Sequence, residues 1–113
     1  MENCLFCKII RGEIPSEKVF ENEQVFAFRD IHPQAPCHIL VIPKKHVSSV
    51  AEADLLEDAE ISACFRAIAQ VASREGLTGG FRVISNCGPD ACQSVQHLHF
   101  HILGGRRMSE EMA

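Results

Sequence analysis

His97-Leu98-His99-Phe100-His101-Ile102-Leu103 alternates imidazole with hydrocarbon. In a β-strand, side chains at i, i+2 and i+4 share one face. The stretch therefore predicts a strand with His97, His99 and His101 on one side and Leu98, Phe100 and Ile102 on the other. The apolar side suits a core. The imidazoles form a row with neighbours roughly 7 Å apart. Imidazole titrates near neutrality and can act as nucleophile, acid, base or metal ligand. Three on one strand face are hard to explain as mere solvated polarity.

Outward from this strand, the chain reads as an alternation of short strands with a single long helix. Residues 4–10 are short and apolar, enough for one or two helical turns ending near Gly12 and Pro15. Residues 19–20 and 25–29 read as two strands joined by a turn over 21–24. Pro33 and Pro36 mark a loop, and residues 38–42 form a β-branched run stopped by Pro43. Residues 55–75 predict the long helix. Asp54 and Glu57 give it a capping-box-like start, Gly76 a stop, and Ile61, Cys64, Phe65, Ile68, Val71 and Ala72 an apolar stripe. A strand at 81–85 and a polar loop at 86–94 lead back to the histidines. The implied fold class is α+β: an antiparallel sheet of about five strands, covered on one face, with one long helix and a short N-terminal one.

The 113 residues fit one domain spanning 1–113, and with 46% hydrophobic residues a modest core is available. The formal net charge of −4, without a basic block, argues against a nucleic-acid backbone partner. No apolar stretch approaches the ~20 residues of a membrane span, and the opening Met1-Glu2-Asn3-Cys4-Leu5-Phe6-Cys7-Lys8 lacks a signal peptide's pattern. A cytoplasmic location is expected, where six cysteines read as thiols or metal ligands rather than disulfides.

The ordered set of motifs resembles the histidine-triad (HIT) superfamily, in its Hint branch. The resemblance is carried by His97-Leu98-His99-Phe100-His101-Ile102-Leu103, Gln93-Ser94-Val95, Gly104-Gly105-Arg106, Asp30-Ile31-His32-Pro33-Gln34-Ala35-Pro36, Val41-Ile42-Pro43-Lys44-Lys45-His46 and Phe6-Cys7-Lys8-Ile9-Ile10. It covers nearly the whole chain. It implies a homodimeric purine nucleoside 5′-phosphoramidate hydrolase that works through a covalent nucleotidyl-histidine. By position, His99 is similar to the nucleophile, His101 to a ligand of the phosphate and leaving group, and His97 to the supporting member of the triad. His38 resembles the fourth histidine of that network, and Ser94 the hydroxyl near the leaving amine. Asp30 resembles the ribose-binding carboxylate, while Phe6, Ile9, Phe28 and Ile31 are similar to residues enclosing the base and Asn86 to one near the phosphate.

Elementary chemistry agrees with these implied roles. A neutral imidazole can attack phosphorus with one nitrogen if an acceptor orients the other. Neighbouring groups must stabilise oxyanion charge and give the leaving amine a proton. None of this requires a catalytic cofactor. Two other readings stay open: a nucleotide-binding module with little turnover, and a zinc-dependent hydrolase using the histidine row.

A separate metal question concerns Cys4, Cys7, His46 and His97. Two thiolates and two imidazoles make a closed tetrahedral structural zinc site, and the resemblance implies such a zinc in some members. The alternative is a pair of half-buried thiols. One position departs from the resemblance: Cys92 stands where these proteins usually have glycine.

Overall fold

The computed structural model describes residues 3–113. Its sheet has five antiparallel strands in the order β1-β2-β3-β5-β4. They are β1 (Lys18–Glu21), β2 (Val25–Arg29), β3 (Cys37–Pro43), β4 (Phe81–Ile84) and β5 (Phe100–Gly104). Two helices accompany them, α1 (Leu5–Ile10) and α2 (Asp58–Arg74). The β1–β2 hairpin is set by Asn22, whose Oδ1 accepts the N–H groups of Gln24 and Val25 at 2.9 Å each.

Period-2 alternation sorts the side chains into two apolar layers. Val25, Ala27, Ile39, Val41, Phe100 and Ile102 pack beneath α2 against Cys64, Ala67, Ile68 and Val71. Their sequence neighbours Phe26, Phe28, Leu40 and Ile42 face the opposite way and join Phe6 and Ile9 of α1. The expectation of a sheet covered on one face is therefore corrected. Six helical residues suffice to cover part of the second face, because Phe6 and Ile9 sit three apart on one side of a helical turn. This is why β3 is buried along its whole length. On this face the apolar layer gives way to His38 and to His101, which pairs opposite Leu40.

Two further expectations need correction. The long helix starts at Asp58, not at residue 55. Ser49 caps a separate 3-10 turn, Val50–Leu55, and Leu56 then turns extended to bury its side chain. Glu57 thus becomes the cap of α2, and its N–H donates to Glu60 Oε1 at 2.7 Å. Phe65 is 57% exposed, although its ring lies 5.6 Å from that of Phe100. The buried stripe is rotated to take in Ala63 and Ala67, whose small side chains let α2 approach the sheet.

Candidate functional site: a histidine cluster on the second face of the sheet

The histidine strand is shorter than expected. Pairing with β3 and β4 begins at Phe100 and His101, so His97 to His99 approach the sheet as irregular chain. The alternation nevertheless persists: Leu98 enters the α2-side core, and His97 and His99 point to the other face, where both rings meet Phe6 edge-on. The released main chain is used elsewhere. Leu98 N–H donates to Val47 O at 2.8 Å, and Ser85 Oγ donates to His99 O at 2.8 Å.

Hydrogen bonds assign the tautomers. His99 Nδ1 lies 2.7 Å from the carbonyl oxygen of His97. A carbonyl can only accept, so Nδ1 donates, and in the neutral ring Nε2 carries the lone pair. His38 is fixed in the opposite sense. The main-chain N–H of Gln34 donates to His38 Nδ1 at 3.0 Å, so the His38 proton sits on Nε2 and donates to His101 Nδ1 at 2.9 Å. His101 in turn carries its proton on Nε2. Burial pushes the His38 pKa below the usual imidazole range and takes His101 to about 4, where His99 and His38 also oppose its charging. The rings of His99 and His101 are 5.1 Å apart. One offers a nucleophilic nitrogen and its neighbour an N–H donor.

Phe6, Ile9 and Phe28 are buried beside this pair, with the Phe6 ring 5.1 Å from His99 and 5.4 Å from Phe28. Asp30 follows β2. Its Oδ1 accepts the N–H of His32 at 2.7 Å, and its Oδ2 lies 3.5 Å from His38 Nε2. Ile31 is 85% exposed at the rim. Asn86 is half-buried in the loop after β4. The structure does not bond Ser94 to the histidines: it is exposed and lines a cavity of about 600 Å³ with Asn3, Cys4, Leu5, His46, Val95 and Gln96. That loop is braced by Gln93, whose amide donates to Ser48 O and Val95 O and accepts from Gly88 N–H. Within it Cys92 adopts φ 58°, ψ 40°, a left-handed conformation that glycine takes without steric cost.

Among the described residues, two groups of side chains could hold a metal ion. One atom from each of Cys4, Cys7, His46 and His97 falls within 4.8 Å of the others. His46 Nδ1 is 3.1 Å from His97 Nδ1, Cys7 Sγ is 3.5 Å from His46 Nδ1 and 3.6 Å from His97 Nδ1, and Cys4 Sγ is 3.4 Å from His97 Nδ1. Zinc bonds of about 2.0–2.3 Å at tetrahedral angles put ligand atoms about 3.3–3.8 Å apart. His97 Nε2 donates to Pro43 O at 2.8 Å, and burial takes the ring's pKa to about 4, so Nδ1 presents a lone pair to the cluster. These four residues fit a closed zinc site.

The second group, Asp30, His38 and His101, also lies within 4.8 Å. Its centre is different. Gln34 N–H occupies His38 Nδ1, so a proton on Nε2, not a lone pair, points inward. This trio is arranged as a proton network.

Sequence reasoning missed Gln34, Pro43, Ser85 and Gln93. The first two act through main-chain atoms, which leave no mark in side-chain chemistry. Gln93 is a motif residue, but its bracing of the loop depends on Ser48 O, 45 residues away, as well as on Gly88 and Val95 nearby.

The HIT domain family matches residues 11–108. A 14 kDa zinc-binding protein of Zea mays is 49% identical over 107 residues, covering 93% of this chain and 84% of that protein. The adenylylsulfatase HINT1 of Arabidopsis thaliana is 46% identical over 107 residues, covering 93% of this chain and 73% of that protein. Among solved structures, a HIT family hydrolase from Clostridium thermocellum superposes with a TM-score of 0.92 at 42% identity, covering 100% of this chain and 99% of the other.

Proposed function

The chain belongs to the HIT domain family, and from that premise we propose that it hydrolyses purine nucleoside 5′-phosphoramidates through a nucleotidyl intermediate on His99. The observation that carries this reading is the pair of opposed tautomers: a lone pair on His99 Nε2 beside an N–H on His101 Nε2. His99 Nε2 attacks phosphorus, the P–N bond breaks, and the leaving nitrogen takes the Nε2 proton of His101, which is an imidazolium at that moment. Water then attacks phosphorus, its proton passes to His101, and the His99–phosphorus bond breaks to release the nucleoside monophosphate. The His97 carbonyl supports the charge that His99 acquires while its Nε2 is bonded to phosphorus.

The purine is placed against the apolar layer of Phe6, Ile9 and Phe28, with Ile31 as a rim contact. Asp30 accepts from the ribose hydroxyls, and Asn86 and Ser94 serve the phosphate and the leaving amine. Cys4, Cys7, His46 and His97 would hold a zinc ion, which supplies a structural cross-link and no open coordination position. The protein acts as a homodimer in the cytoplasm. The support for pairing is an open edge at β4, where Phe81 and Val83 are exposed, together with the exposed ring of Phe65.

Steady-state turnover of adenosine 5′-phosphoramidate in the presence of a chelator tests the reading. Release of amine and AMP is expected, and is expected to vanish in His99→Ala. No turnover above that of His99→Ala would overturn it. The name of the Arabidopsis relative motivates adenylyl sulfate as a second substrate. Sulfate leaves without needing a proton, so His101→Ala should impair its cleavage less than that of the phosphoramidate.

A further inference from the structure

Asp30 stands where it can do more than receive a sugar. Its main-chain N–H donates to His38 O at 3.0 Å, which fixes it beside the start of β3. His32 N–H holds Oδ1, leaving Oδ2 3.5 Å from His38 Nε2. His38, at 3% side-chain exposure, stands between this carboxylate and His101.

Resting on the hydrolase reading above, we propose that Asp30 is also the counterion that lets the His38–His101 pair hold a second proton while phosphate is bound, and that this proton is the one given to the leaving amine.

The chemistry creates the need. Cleavage of a P–N bond leaves a basic nitrogen, and a neutral imidazole N–H is too weak an acid to protonate it. His101 must therefore become an imidazolium, with N–H groups on both nitrogens. At 2.9 Å, its new Nδ1–H cannot face the Nε2–H of His38. One of the two must find another acceptor, and Asp30 Oδ2 lies in the same cluster. The charged groups facing His101 from the packed elements are His99 on the approach to β5, His38 on β3 and Asp30 after β2. Of these, the two histidines oppose its charging and Asp30 favours it.

The proton count closes. Doubly protonated His101 gives its Nε2 proton to the departing nitrogen and remains as the Nδ1–H tautomer. Its Nε2 lone pair then takes a proton from the attacking water, which restores the starting state. Asp30 holds the pair in this arrangement through both half-reactions.

Asp30 acts here through His38 and His101, so the test must remove its contact with ribose. With 2′,3′-dideoxyadenosine 5′-phosphoramidate no sugar hydroxyl remains for it to bind. On this substrate Asp30→Asn is expected to lose about tenfold or more in kcat, with the alkaline limb of the pH profile, where the proton donor is lost, moved to lower pH, and Asp30→Glu to recover part of the loss. Equal kcat and equal pH profiles for wild type and Asp30→Asn would overturn the proposal and leave Asp30 a ribose ligand alone. Imidazole nitrogen NMR provides a readout without turnover. With saturating 2′,3′-dideoxyadenosine 5′-monophosphate present, which offers Asp30 no sugar hydroxyl, the His38–His101 pair should take up its proton at lower pH in Asp30→Asn than in wild type, and identical titrations would contradict the inference. If no phosphoramidate is hydrolysed at all, the functional reading fails, whereas the NMR comparison still decides the role of Asp30.

Discussion

At the scale of single residues, the site depends on which nitrogen of each imidazole holds its proton. Three acceptor or donor contacts decide this: His97 O for His99, Gln34 N–H for His38 and Pro43 O for His97. Burial makes His38 and His101 resist charging. In the unfolded chain each takes a proton near the ordinary imidazole value of about 6.5. The unfolded state thus binds more protons than the native state between about 6.5 and the lowered native value, which for His101 is about 4. Stability is therefore full above pH 6.5 and falls as the pH drops toward 4, with a slope approaching about 1.4 kcal/mol per pH unit for each such group. Denaturant melts between pH 7 and 4.5 check this, and His101→Gln should have a shallower acid slope than wild type. Cys92 carries a different local cost. Its left-handed backbone is unfavourable for a residue with a Cβ by roughly 1–2 kcal/mol, part of which glycine's chain entropy would offset. Cys92→Gly is expected to leave stability unchanged or raise it by up to about 1 kcal/mol, measured by the same melts.

At the scale of elements, α1 carries more than its six residues suggest. It covers the second face with Phe6 and Ile9 and brings Cys4 and Cys7 to His46 and His97. If zinc joins them, metal binding is coupled to folding. About one zinc per chain is expected by metal analysis. Strong chelation, or Cys7→Ser, should lower Tm by about 5 °C or more. Metal-free protein that gains no stability on adding zinc would remove the ion from the account. The sheet itself was legible in the sequence. The β-branched run before Pro43 and the hairpin spacing give strands where strands occur, and the alternation at residues 97–102 finds β5 while placing its start three residues early. What escaped was decided by tertiary contacts. The burial of Leu56 splits the helical segment, Ala63 and Ala67 outrank Phe65 at the helix–sheet contact, and pairing with β3 stops at Phe100. The histidine set was likewise legible as residue types on one face. Its tautomers were not, because they rest on main-chain groups whose placement only the folded chain decides: His97 O for His99, Gln34 N–H for His38 and the distant Pro43 O for His97.

At the scale of the whole molecule, the open edge of β4 is the feature that calls for a partner. Phe81 and Val83 point the same way from a strand with one neighbour, and Phe65 stands exposed on α2. Sedimentation at micromolar concentration should report twice the chain mass, and Val83→Lys should shift the protein toward monomer. A wild-type monomer at all accessible concentrations would contradict the dimer. No helix among the described residues is long and apolar enough to cross a membrane. The proposed hydrolysis requires His99 to be a nucleophile rather than a binding group. Rapid quenching of the protein during turnover of adenosine 5′-phosphoramidate, followed by intact-mass measurement, tests that most directly. A species heavier by one adenylyl group, attached at His99 and missing from His99→Ala, is expected. Full wild-type turnover with no such species at any quench time would contradict it.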